Sequence, residues 1–96
     1  MNLYAIIRRD GWQTGGDLQT AAGRSNAVGD EMPDDIRWIR SYVLSEESGM
    51  LGTVCIYEAS SPEKIREHAK RADLPVSEII PIADTVVVRS DPVAAG

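Results

Sequence analysis

A small group of residues has side chains suited to binding or proton transfer, and the group is spread over two predicted strands and one predicted helix. Tryptophan and tyrosine combine apolar rings with hydrogen-bonding tips, which suits a small-molecule pocket. His68 is the only histidine and has an unperturbed pKa near neutrality, so it is the natural acid, base or metal ligand. The predicted ligand-binding residues are Trp38, Arg40, Tyr42, Cys55, Tyr57 and His68.

Purely structural roles compete with each of these assignments. A histidine on an apolar helix face is more often a buried residue bonded to a neighbour, and tyrosine and tryptophan often fill a core. Cys55, in the middle of a strand, is more typical of a small buried hydrophobe than of a nucleophile. One histidine and one cysteine do not complete a structural zinc site, which needs four such ligands. Carboxylates, water or a second subunit would have to complete a metal site at His68.

The elements that position these residues follow the order strand, helix, strand, strand, helix, strand. Apolar and β-branched runs predict strands at residues 3–8, 36–44, 52–59 and 77–88. Asp17 is the predicted cap of the first helix, and Ser61 followed by Pro62 begins the second. Two β-α-β units with a central hairpin predict an α+β, ferredoxin-like fold: a four-stranded antiparallel sheet with two helices on one face. Residues 1–90 form this single domain, and residues 91–96 are predicted to be a flexible C-terminal tail.

Both faces of the predicted sheet carry large apolar groups. Strict alternation along the second strand places Trp38, Arg40 and Tyr42 on one face. The opposite face of that strand then receives Ile39, Ser41 and Val43. A sheet covered by helices on one face alone does not need apolar groups on both, so we expect a second copy over the open face. This predicts a homodimer of the dimeric α+β barrel type.

The composition excludes several classes of partner. The net charge is −5 and the basic residues of the second helix are mixed with acidic ones, so we expect no nucleic-acid partner. We expect no membrane partner either, because no apolar run approaches the roughly 20 residues that a transmembrane helix needs. The sequence starts without the pattern of a signal peptide, which predicts a cytoplasmic protein. A single cysteine excludes an internal disulfide.

Three short segments resemble a known family. They are residues 38–43 (Trp-Ile-Arg-Ser-Tyr-Val), 55–59 (Cys-Ile-Tyr-Glu-Ala) and 65–69 (Ile-Arg-Glu-His-Ala), followed by Pro75 and a strand start at Ser77. With this spacing the chain resembles a family of short proteins of unknown function that includes an actinobacterial nickel-binding protein. The resemblance implies a ferredoxin-like homodimer with a site for nickel or another divalent transition metal. It also implies that His68 is a metal ligand, since His68 matches the helix histidine of related members.

The chain departs from that family at two expected ligand positions. Members often carry a histidine in the second strand, where this chain has Arg40, and one near the end of the first strand, where it has Arg8 and Arg9. Arginine does not lose its proton in proteins and does not ligate metals. The substitution of fixed cations for neutral bases disfavours nickel and favours an anionic ligand group such as a carboxylate.

Three functions fit the sequence. The first is a small dimeric protein that binds a small ligand or a metal. The second is a cofactor-free oxygenase, cyclase or isomerase, in which His68 carries the proton while Arg40, with Tyr42 or Tyr57, orients an oxyanion. That mechanism requires these residues to share one cavity. The third is a purely structural dimerisation module, which predicts a closed, packed sheet with no cavity.

Overall fold

The described residues, 1–92 of the computed structural model, form four strands and two helices in the order β1, α1, β2, β3, α2, β4. Their bounds are β1 Asn2–Trp12, α1 Gly15–Asp30, β2 Ile36–Ser45, β3 Leu51–Ala59, α2 Pro62–Ala72 and β4 Glu78–Pro81. The strand order across the sheet is β2-β3-β1-β4, and every neighbouring pair is antiparallel. The predicted ferredoxin-like α+β architecture is confirmed.

The two central strands bury alternate residues against the helices. In β1, Tyr4, Ile6 and Arg8 are buried, while the residues between them are only partly covered. Since residues directly opposite in an antiparallel pair share a face, their β3 partners are buried as well. The core cluster beneath the helices consists of Tyr4, Ile6, Met32, Ile36, Cys55, Tyr57, Ala59 and Ile65.

Side-chain caps fix where the two helices begin. Thr14, not Asp17, caps α1: its Oγ1 accepts a hydrogen bond from the Asp17 amide at 3.1 Å. The prediction for Asp17 was wrong because threonine three residues upstream reaches the same free amide of the first turn. Ser61 caps α2 as predicted and accepts from the Lys64 amide, with Pro62 at the first helical position.

A β-bulge in β2 overturns the predicted alternation along that strand. Trp38 pairs with Tyr57 and the next pair is Arg40 with Ile56, so Ile39 is an extra residue in the ladder. A shift of one residue reverses the face of every later side chain. Trp38 therefore lies on the helix side of the sheet, whereas Arg40 lies on the open side. The predicted grouping of Trp38 with Arg40 and Tyr42 was wrong.

The last strand is shorter than predicted. β4 ends at Pro81, and the chain then crosses the open face of the sheet without regular structure as far as residue 92. Valine-rich residues 85–88 favour a strand by composition, but no strand within residues 1–92 pairs with them. Residues 93–96 of the predicted tail lie outside the described residues. Within the described chain, neither helix is long and apolar enough to cross a membrane.

Candidate ligand-binding cavity

A cavity of about 190 Å³ lies between α1 and the helix side of the sheet. Its walls come from α1, β1, β2, β3 and the segment after α2, and they are predominantly hydrocarbon, with Trp12, Leu18, Ala22 and Leu74 among them. An apolar cavity of about 150 Å³ is enough to take up benzene. The volume therefore suits a molecule the size of one ring or a short alkyl chain.

The cavity opens beside β2, which is an edge strand of the sheet. Trp38 and Val43 line the cavity and are nevertheless 37% and 56% exposed. The Trp38 ring stacks on Tyr57 at a centroid distance of 6.0 Å, and its Nε1 donates to Ser41 Oγ at 2.8 Å. A molecule can thus enter past the edge strand and meet an aromatic wall that is already held in place.

A positively charged residue is buried in the wall of the cavity. Arg8 is 1% exposed, and its Nη1 donates to the Pro75 carbonyl at 2.7 Å. Its Nη2 is buried and has no hydrogen-bond partner among the described residues. None of the ion pairs formed by residues 1–92 includes Arg8. Since isolated buried charge is costly, this arrangement is unusual for a residue with a purely structural role.

Tyr57 and Ser25 form a polar pair beside Arg8. Their hydroxyl groups are hydrogen-bonded at 2.9 Å, and both residues line the cavity. Burial raises the pKa of Tyr57, and the hydrogen bond to Ser25 and the charge of Arg8 only partly oppose this. The Tyr57 hydroxyl therefore stays protonated at neutral pH and remains a hydrogen-bond donor.

His68 is fixed by a backbone hydrogen bond. Its Nε2 lies 2.9 Å from the Ser25 carbonyl, which only accepts, so Nε2 carries the proton. Its Nδ1 is buried without a partner among the described residues. Burial lowers the pKa of His68; the Ser25 carbonyl opposes this shift, while the charges of Arg8 and Arg71 add to it. The ring is neutral at pH 7 as a consequence.

The lowered pKa of His68 predicts a pH-dependent stability. An unfolded histidine titrates near pH 6.5, so the unfolded state binds the proton first as the pH falls. We expect the free energy of unfolding to be retained well above about pH 6.5 and to decrease as the pH falls through this value and below it. Urea unfolding of the wild type and of His68→Gln across this range measures the effect. The decrease should be smaller in His68→Gln, and equal decreases would contradict the assignment.

The predicted site residues divide between the two faces of the sheet. Trp38, Cys55 and Tyr57 line the cavity, and the His68 ring lies 5.5 Å from that of Tyr57. Arg40 and Tyr42 lie on the opposite face.

On that open face both residues contact the segment after β4. Arg40 Nη1 is 2.8 Å from an Asp91 carboxylate oxygen, and the Tyr42 hydroxyl donates to the same carboxylate. The Asp91 carboxylate also helps to raise the pKa of Arg40, after the larger effect of Tyr42. Because the sheet separates Arg40 from His68, the enzymatic mechanism that combines them is excluded.

Sequence reasoning missed four polar residues of the cavity: Arg8, Ser25, Ser41 and Thr53. For Arg8 the signal was present. Tyr4, Ile6 and Arg8 are alternate residues of β1 and therefore lie on the same, inner face of the sheet. Ser25 is a buried residue of α1. Its polar role depends on hydrogen bonds to Tyr57 and His68, which belong to other elements. The spacing of residues along the sequence does not reveal such contacts.

Few side chains that could bind a metal lie near one another in the described residues. Among residues 1–92, no group of three or more histidine, cysteine, aspartate and glutamate side chains lies close enough together to hold a metal ion. Cys55 is the one such side chain that lines the cavity, and the nearby His68 has its Nε2 occupied by the Ser25 carbonyl.

Comparisons with known proteins agree with the fold. The crystal structure of SCO4226 from Streptomyces coelicolor A3(2) is similar, with a TM-score of 0.70 and 20% sequence identity over 88% of this chain and 99% of the other. No curated protein matches the chain. The family model described as "Nickel responsive protein SCO4226-like" matches residues 4–82. The chain therefore belongs to the SCO4226-like family.

Proposed function

We propose that this chain is a binding protein that takes one small, largely apolar molecule into the cavity between α1 and the sheet. The observation that carries the proposal is the cavity itself: its walls are apolar, its volume is about 190 Å³, and it opens beside an edge strand. Pockets for small molecules have this character, with hydrophobic and aromatic walls and a few placed polar groups.

The cavity argues against a purely structural module. Apolar space left unfilled in a protein costs stability, so a domain with no ligand is expected to close it with larger side chains. Small residues instead face the cavity from α1, where Ala21, Ala22 and Ser25 line one side. Their small size leaves unfilled the space between the helix and the aromatic wall on β2 and β3.

Nickel is the second candidate, because the family description names a nickel-responsive protein. The donors of one chain do not fit it. His68 has one ring nitrogen bonded to Ser25, and Arg8, Arg9 and Arg40 stand where the resemblance implies histidines. A nickel site at His68 would need further ligands from a second chain, and the function proposed for the cavity requires no metal.

The proposal includes assembly of two copies through the open face of the sheet. On that face Ile39 and Tyr42 are 38% and 43% exposed, and Val86, Val87 and Val88 are 76–85% exposed. Such a concentration of exposed apolar side chains is typical of an interaction surface. A second copy suits it because the valine segment has strand-forming residues without a partner strand within residues 1–92.

A titration with a neutral aromatic probe tests the binding function. We expect para-fluorobenzyl alcohol, followed by fluorine NMR, to bind saturably with one site per chain, because a single ring matches the volume of the cavity. Protein amide signals of α1 and β3 should shift together with the same dissociation constant. Shifts that grow linearly to the solubility limit, with no saturation, would overturn the proposed function.

A further inference from the structure

Arg8 has an incomplete set of partners for a buried charge. It is nearly inaccessible, it lines the cavity, and one of its two terminal nitrogens is bonded only to the Pro75 carbonyl. The other, Nη2, has buried donor hydrogens and no acceptor among the described residues. A guanidinium in such a position binds carboxylates strongly, because the hydrogen bond is charge-assisted and shielded from water.

We infer that the physiological ligand is a small monocarboxylic acid whose carboxylate pairs with Arg8 while its hydrocarbon part fills the cavity. This inference rests on the proposed binding function and adds to it the chemical class of the ligand. The cavity volume of about 190 Å³ limits the acid to one ring or a short alkyl chain.

The charge balance favours a monoanion. Arg8 is the one cationic residue among those that line the cavity, and the neighbouring Tyr57 and Ser25 are neutral hydrogen-bonding groups. His68, which lies against Tyr57, is neutral at pH 7 because burial lowers its pKa. A phosphate dianion would leave one negative charge uncompensated in an apolar site, whereas a carboxylate is balanced by Arg8 alone.

A structural role for Arg8 is the competing explanation. Its bond to Pro75 ties β1 to the segment between α2 and β4, and that bond alone requires neither a ligand nor a counter-ion. The two explanations differ in what they predict for ligand preference. A structural arginine does not distinguish an acid from an alcohol of the same shape, whereas a carboxylate-binding arginine does.

The experiment compares para-fluorobenzoate with para-fluorobenzyl alcohol by fluorine NMR at about pH 7.5, where the acid is ionised and carries one charge. We expect the wild type to bind the acid at least about tenfold more tightly than the alcohol. In Arg8→Met this preference should vanish. Arg9→Met is the matched control, because Arg9 is the next residue, is exposed, and pairs with Glu46 at 3.1 Å. It should keep the preference for the acid.

The outcomes separate the two proposals. Equal affinities of the wild type for acid and alcohol would overturn the carboxylate assignment and leave the binding function standing. Failure of both probes to bind would overturn both proposals. If Arg8→Met does not fold, the comparison of acid and alcohol binding to the wild type still tests the carboxylate assignment. Arg8→Lys keeps the charge but loses the planar guanidinium, and it should show a reduced preference for the acid.

Discussion

Replacing Ala22 with leucine is expected to abolish binding of para-fluorobenzyl alcohol while raising the free energy of unfolding by about 1 kcal/mol. Ala22 is half-buried on the face of α1 that lines the cavity. A leucine there places its isobutyl group in the space that a ligand needs, and apolar side chains that fill cavities stabilise the fold. Loss of function and gain of stability together are the mark of a site that the fold keeps open.

Ala27→Leu is the matched control for this change. Ala27 lies on the same helix but is exposed and does not line the cavity. Alanine and leucine have similar helix propensities, so both variants should form α1 equally well. We expect Ala27→Leu to bind the probe like the wild type, with stability within about 0.5 kcal/mol of it. Undiminished binding by Ala22→Leu would contradict the location of the site. Fluorine NMR and urea unfolding provide the two measurements.

The double change Val86→Lys with Val88→Lys is expected to convert a dimer into monomers. Burying a valine side chain in an interface contributes about 1.5 kcal/mol or more, so losing two should raise the dimer dissociation constant by at least about a hundredfold. Lysine also carries a charge that an apolar interface does not accommodate. Both valines are exposed in the single chain, so the fold of each monomer should be little affected.

Sedimentation equilibrium measures this directly, since one chain has a mass of 10.5 kDa and a dimer has twice that mass. Val76→Lys is the control: Val76 is 37% exposed and does not contact the groove that the valine segment forms with the open face. The control should sediment like the wild type. A wild type that is monomeric at all concentrations would refute the proposed assembly.

The order of strands and helices was predictable because each element has a local signature. The apolar run at residues 3–8 indicates a strand, and Ser61 followed by Pro62 marks a helix start. These signals depend only on neighbouring residues.

The bulge at Ile39 was not predictable in the same way. No glycine or proline marks it, and the residues on both sides of it are aromatic, β-branched or basic, as in an ordinary strand. Its effect is nevertheless large, because it places Trp38 and Arg40 on opposite faces of the sheet. Trp38 faces the cavity, and Arg40 lies on the open face. The composition of the candidate site thus depended on one extra residue in one strand.

The segment after β4 shows a different limit of prediction from sequence. Residues 85–88 have the composition of a strand, yet a strand needs a partner for its backbone groups. Within residues 1–92 none is present beside them. Sequence identifies the strand propensity of such a segment, whereas the presence of a partner strand depends on the arrangement of the folded chain in space.

Intermolecular nuclear Overhauser effects between the protein and bound para-fluorobenzyl alcohol test the central claim most directly. We expect contacts from the ring protons of the probe to the methyl group of Ala22 and to the indole of Trp38, both of which line the cavity. Contacts to Ile39, Tyr42 and the valines of residues 85–88 would instead place the probe on the open face of the sheet. That result would contradict a ligand site between α1 and the sheet.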